Sequence, residues 1–197
     1  MSSRKNYKAL TSRFQKPLIL LVVMLVLTLM NSGIFLTLGN FKSILLAISI
    51  YGVMVCGTIY PILLGGIDLA VGATAAMSGA CVVLTIVRMD YSYTGVILGI
   101  LFGLAAGVMA GIAHGAIVSN FNVPPFLITL ASQNIIYGIA QLLTGNQVIS
   151  CLEPAAFTFL GGGRLFGIPF SVCILVIVAL ISFWLLNRTT FGRQVYA

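Results

Sequence analysis

The stretch "NFNVPPF", residues 120–126, lies inside the longest charge-free run of this sequence, Tyr91 to Leu152, and its reading sets how many times the chain crosses a bilayer. Two adjacent prolines remove two amide donors, and a proline also pushes the residue before it out of the helical region. Helix therefore breaks here, and each flank is long enough for its own span, since about 18–20 apolar residues suffice. Four more charge-free windows lie outward of it: Pro17 to Phe41, Ser43 to Ile67, Leu69 to Val87 and Leu165 to Asn187. With 7% charged residues and 60% hydrophobic ones, against about 25% charged in soluble proteins, the expected fold is all-α, a polytopic helical membrane protein. Six spans are predicted, near 17–37, 43–63, 69–88, 94–117, 126–144 and 170–187.

Basic residues orient such a protein, because Lys and Arg near span ends stay on the cytoplasmic side. Arg4, Lys5, Lys8, Arg13 and Lys16 precede the first span; with an even number of spans Arg188 and Arg193 join them inside, leaving Lys42, Arg88 and Arg164 outside. That seven-to-three bias predicts a cytoplasmic N-terminus and accounts for the net charge of +7. Anionic lipid headgroups are the expected partner of the basic tail, and nucleic acid is not. The basic start followed by an apolar run also has the outline of a secretory signal. No small-residue cleavage site follows "LTLMNSG", so a retained anchor is expected. Cys56, Cys81 and Cys173 fall inside spans and Cys151 in an outer loop, with no paired spacing that would indicate disulfides or a metal site.

Within the fourth span Gly95, Gly99, Gly103, Gly107, Gly111 and Gly115 recur every four residues. Lipid supplies no hydrophobic drive between helices, so a bare stripe of this kind predicts close backbone packing against another helix. Gly72, Ala76 and Ala80 give the third span a shorter small-residue face. On the fifth span Thr129, Gln133, Tyr137 and Gln141 share the same spacing, with Ser132 and Asn134 beside them. Such a polar face is either interhelical glue or the lining of a solute route, and its neutral hydrogen-bonding groups suit a polyhydroxylated solute better than an ion.

Catalytic chemistry finds little support. Ser78 in "MSGA" and His114 have the residue types of an intramembrane serine dyad, but Ala76 stands where the rhomboid-like signature has glycine, so Ser78 reads as a packing residue and His114 as a hydrogen-bonding core residue. No GxxxxGK[ST] cradle for phosphates occurs, and no acidic or His/Cys cluster could hold a metal. Neither a cofactor nor a metal is expected.

Three stretches together, "GGIDLAVGA", "NVPPFLITL" with "LLTGNQVIS" downstream, and "NRTTFGRQVYA", resemble the ribose/galactose-type permeases of bacterial ATP-binding-cassette importers, in the family's order and over nearly the whole chain. The resemblance implies a subunit of the bacterial inner membrane that forms the path for a sugar or sugar-like solute. It also implies a second permease subunit, an extracytoplasmic solute-binding protein and a cytoplasmic ATPase that hydrolyses the ATP. On the ATPase side it places Arg188, Phe191, Gly192 and Arg193. His114, Ala131 and Thr190 depart from the family pattern, which bears on the solute: a nucleoside or a sugar-like signal molecule is the alternative. Family members continue past "FGRQVYA", so the chain is expected to be the N-terminal part of a permease, which alone would be a non-transporting fragment. Its expected parts are a basic tail (1–16), a transmembrane region (17–187) and the start of a coupling loop (188–197).

Asp68, one of three acidic residues, stands between Gly65–Gly66 and Gly72. The glycines permit a sharp reversal between spans two and three. At the start of span three a carboxylate accepts from free helix amides and meets the positive end of the dipole. The competing reading is a pathway residue facing the solute.

Overall fold

The computed structural model describes residues 2–30 and 33–197, with side chains from Gln15 onward. The helices are α1 (Ser2–Met30), α2 (Leu38–Leu63), α3 (Val71–Arg88), α4 (Tyr93–Phe121), α5 (Pro125–Thr144), α6 (Ala155–Gly162), α7 (Phe170–Arg188) and α8 (Thr190–Tyr196). A two-stranded antiparallel hairpin, β1 (Arg164–Leu165) and β2 (Ile168–Pro169), precedes α7. α2, α3, α4, α5 and α7 are long and apolar enough to cross a membrane, and Gln15–Met30 of α1 is a shorter apolar stretch. The chain is a polytopic helical membrane protein. It falls into two compact units, residues up to Leu45 and Leu46–Ala197.

In the first unit, α1 runs through the basic tail and ends at Met30, short of the expected 37, although residues 31 and 32 lie outside those described. α2 begins five residues before the expected position because Thr37 caps it: the hydroxyl accepts from Asn40 N–H at 3.2 Å, and Asn40 Nδ2 donates to Phe35 O at 2.7 Å. Lys42 is therefore inside the helix and does not mark its start.

The second unit is built on α3, which packs along α4 and against α5. Ile86 of α3 is fully buried, and Ala110 of α4 and Ile136 of α5 close around Ala70. At "NFNVPPF" α4 runs to Phe121, Asn122 takes a left-handed conformation (φ 50°), and α5 starts at Pro125, the first-turn position where a missing amide costs nothing. α5 ends on Gly145 (φ 61°), with Asn146 N–H donating to Gln141 O at 2.7 Å in a Schellman closure. The connection expected as an open loop from Gly145 to Pro169 holds α6 and the hairpin. Phe166 and Gly167 form the hairpin's turn with positive φ at both positions (51° and 83°), the backbone of a type I′ turn. Phe159 of α6 packs on Phe170 of α7 with ring centroids 5.2 Å apart.

Candidate functional site

The reversal between α2 and α3 is fixed by backbone closure. Gly65 is left-handed (φ 76°), and Gly66 N–H donates to Pro61 O at 2.8 Å, capping the last turn of α2. Gly66 is buried against α5: a Cβ there would stand 3.0 Å from Pro125 Cγ. Thr129, 4% exposed, stitches the turn to α5, its hydroxyl accepting from Leu69 N–H at 3.1 Å and lying 3.2 Å from Ile67 O. Asp68 Oδ1 accepts from Ala70 N–H at 2.8 Å. This is an Asx turn one step ahead of the helix, because α3 starts at Val71 and its N-cap residue is Ala70. No other hydrogen bond or ion pair engages the Asp68 side chain among the described residues. Gly72 has open space around it.

The glycine stripe divides. At Gly95, Gly99 and Gly103, all buried, an added Cβ would stand 2.9 Å from Met89 Cβ, 2.8 Å from Val82 O and 2.6 Å from Val82 Cγ2 respectively. Gly107 meets only Ser78 Oγ, at 3.4 Å, and Gly111 and Gly115 meet nothing within 4 Å.

The polar face of α5 divides as well. Thr129 turns inward with Ile136 and Ala140, Gln133 is half-buried, and Asn134, Tyr137 and Gln141 are exposed. Ser132 does what the spacing did not reveal: its Oγ lies 2.7 Å from His114 Nε2, tying α5 to α4. Ser78, the other serine considered with His114, faces the α4 glycines.

His114 borders three cavities. One, of about 730 Å³, is lined mostly by apolar side chains with Cys81, Thr85, Arg88 and Ser132. A second, of about 390 Å³, includes Tyr60, Asp68, Gly111, Gly115 and Thr129. The third, of about 290 Å³, is bounded by Asp68, Thr74, Ser78, Gly107, Gly111 and His114 among others. Gln133, Asn134, Tyr137 and Gln141 line none of these three. Thr74 and Ser78 stand at i and i+4 on α3, a spacing visible in sequence; that Ser78 Oγ lies 3.4 Å from where a Cβ at Gly107 would be is not.

At the far end of the chain Thr189 caps α8, accepting from Gly192 N–H at 3.3 Å. Gly192 is obligatory at this corner, since a Cβ would land on the Leu186 carbonyl oxygen. Phe191 packs on Tyr60 of α2 with centroids 5.7 Å apart, while Arg188 and Arg193 are exposed.

Comparison with known proteins places the chain beside membrane permeases. The family described as "Branched-chain amino acid transport system / permease component" matches residues 40–197. The chain is 35% identical to the ribose import permease protein RbsC of Bacillus subtilis (strain 168), over 90% of this chain and 54% of that protein. It is 34% identical to the L-arabinose transport system permease protein AraH of Escherichia coli (strain K12), over 83% of this chain and 48% of that one. With RbsC of Escherichia coli (strain K12) it shares 32% identity, over 100% of this chain and 61% of the relative. The chain thus spans about half the length of the curated relatives it matches. No solved structure matches it.

Proposed function

The chain belongs to the family of branched-chain amino acid transport system permease components, and from that premise we propose that it forms part of the transmembrane path of an ATP-binding-cassette importer for a sugar or sugar-like solute. The match over residues 40–197 carries this reading, and the relatives' printed substrates, ribose and arabinose, narrow it to pentose-like solutes. The chain is not itself an enzyme in this reading. A cytoplasmic ATPase supplies the energy, an extracytoplasmic binding protein delivers the solute, and a second permease subunit completes the path in a bacterial inner membrane. The seven-to-three distribution of basic residues supports an N-terminus on the cytoplasmic side. That orientation puts the Gly65–Ala70 turn, Asn122–Pro124 and the α7–α8 corner on the cytoplasmic side too. Arg188 and Arg193, exposed around the fixed corner at Gly192, then face the ATPase.

The direct test is reconstitution of the permease with its ATPase and binding protein in vesicles. ATP-dependent accumulation of labelled ribose or arabinose is the expected result. Accumulation of a nucleoside with neither pentose transported would redirect the solute assignment, and accumulation of none would overturn the importer reading.

A further inference from the structure

We propose that the cavity of about 290 Å³ between α3 and α4 is where the permease holds a polyhydroxylated solute, with Asp68, Thr74, Ser78 and His114 as its hydrogen-bonding groups. The inference rests on the importer reading above and moves the solute contact off the amide face of α5.

Hydroxyls on a helix normally return to their own backbone, as Thr85 does to Cys81 O at 2.7 Å and Thr144 to Ala140 O at 3.1 Å. Thr74 and Ser78 do not: their hydroxyls make no hydrogen bond among the described residues and both border the cavity. Asp68 commits one oxygen to the Ala70 amide and keeps the other unengaged. Ser132 Oγ also donates to Thr129 O at 3.3 Å. The 2.7 Å contact between Ser132 Oγ and His114 Nε2 engages that ring nitrogen and leaves Nδ1 as the ring's other hydrogen-bonding atom.

A carboxyl oxygen, a ring nitrogen and two hydroxyls that both donate and accept converge from the Asp68 turn, α3 and α4. That set matches a sugar, whose hydroxyls are donors and acceptors at once. These groups are part-buried and their unpaired atoms are open to the cavity, so a solute's hydroxyls can replace water as their partners. Gly107 and Gly111 supply the room. At about 30 Å³ per water the volume holds roughly ten waters, enough for a pentose.

The test is equilibrium binding of tritiated ribose to the permease in lipid nanodiscs without the binding protein, run beside ribose uptake by the assembled importer. Thr74→Val with Ser78→Ala keeps shape and removes both hydroxyls; it should weaken ribose binding roughly fivefold or more. Gly111→Leu should abolish binding by filling the cavity, and it also decides the matter if the double variant fails to fold, because an added Cβ at Gly111 meets nothing within 4 Å. Gln141→Leu should change nothing. Wild-type ribose affinity in folded Gly111→Leu or in folded Thr74→Val/Ser78→Ala would overturn the cavity assignment. Lack of saturable ribose binding by the wild type, while the importer transports ribose, would overturn it as well. Uptake of neither ribose nor arabinose by the wild-type importer would instead bring down the functional reading beneath it.

Discussion

Gly95, Gly99 and Gly103 lie so close to α3 that an added methyl group would stand within 2.6 to 2.9 Å of it or of Met89 just beyond it, whereas Gly111 and Gly115, on the same stripe of the same helix, meet nothing within 4 Å. The register explains the contrast. Ile86 lies against Gly95, Val82 against Gly99 and Ser78 against Gly103, so α3 steps back four residues as α4 advances four. Continued, that register sets residue 74 opposite Gly107 and residue 70 opposite Gly111. Thr74 lies inside α3, yet none of its atoms comes within 4 Å of a Cβ added at Gly107, so the two helices part over the first turn of α3 and the open half of the stripe begins there. Small residues at four-residue spacing mark where a helix can be approached; the path of the partner determines whether it is.

Leucine at the two ends should give the largest difference. Gly99→Leu and Gly103→Leu drive a side chain into the α3 backbone and should abolish folded yield, whereas Gly111→Leu should elute from size exclusion like the wild type. Equal loss at both ends would mean that the open half is closed by a partner subunit or another element.

Thr129 holds the turn from which α3 starts. Thr129→Val removes the acceptor of the Leu69 amide in a part-buried hydrogen bond and should cost about 0.5–1.5 kcal/mol of stability, read as a lower unfolding temperature. An unchanged unfolding temperature would show that the turn is held without this stitch.

A single methyl group gives a finer comparison. Gly99→Ala should cost about 1–3 kcal/mol because Val82 O is backbone and cannot swing aside. Gly115→Ala should be neutral to within about 0.5 kcal/mol or slightly stabilising, since alanine favours helix. Thermal unfolding of the pair checks both, and a reversed order would refute the register.

Labelling with a membrane-impermeant maleimide should leave folding untouched and show which membrane face the open half is nearer. Cys151 should react in intact cells, and Cys56, Cys81 and Cys173 should not. Reaction of Cys151 only after the membrane is opened would reverse the orientation and turn the Asp68 cavity toward the outside.

Much of the fold was legible because hydrocarbon leaves a backbone few choices. Every amide must be satisfied within the chain, so long charge-free windows become helices. The two prolines of "NFNVPPF" divide the longest window where α5 begins at Pro125, one residue from the expected 126, while α4 runs on to Phe121, four residues past the expected 117. Short elements escaped notice. A hairpin with two residues per strand has no period to detect, its turn uses Phe166–Gly167 where Asn-Gly is usual, and α6 has only eight residues. The charge of Lys42 points to a start of α2 near residue 43, whereas Thr37 supplies the cap and the helix begins at Leu38. On α5 the shared four-residue spacing grouped Thr129 with Gln133, Tyr137 and Gln141, but a helix turns about 100° per residue, and over three such steps the face drifts from buried to exposed.

By itself the sequence determined a helical membrane chain, five of the six expected spans as long apolar helices, its division at the double proline and its resemblance to sugar-importer permeases, because each of these follows from local composition, spacing or order along the chain. Only the tertiary structure decided that His114 pairs with Ser132 eighteen residues away, that Ser78 lies against Gly103 and Gly107, and that half of the glycine stripe is packed and half is open. Those outcomes depend on the register between antiparallel helices and on the point where the Asp68 turn, held by Thr129, lets α3 begin. Register and starting point are set by contacts between residues distant in sequence, and no local pattern encodes them.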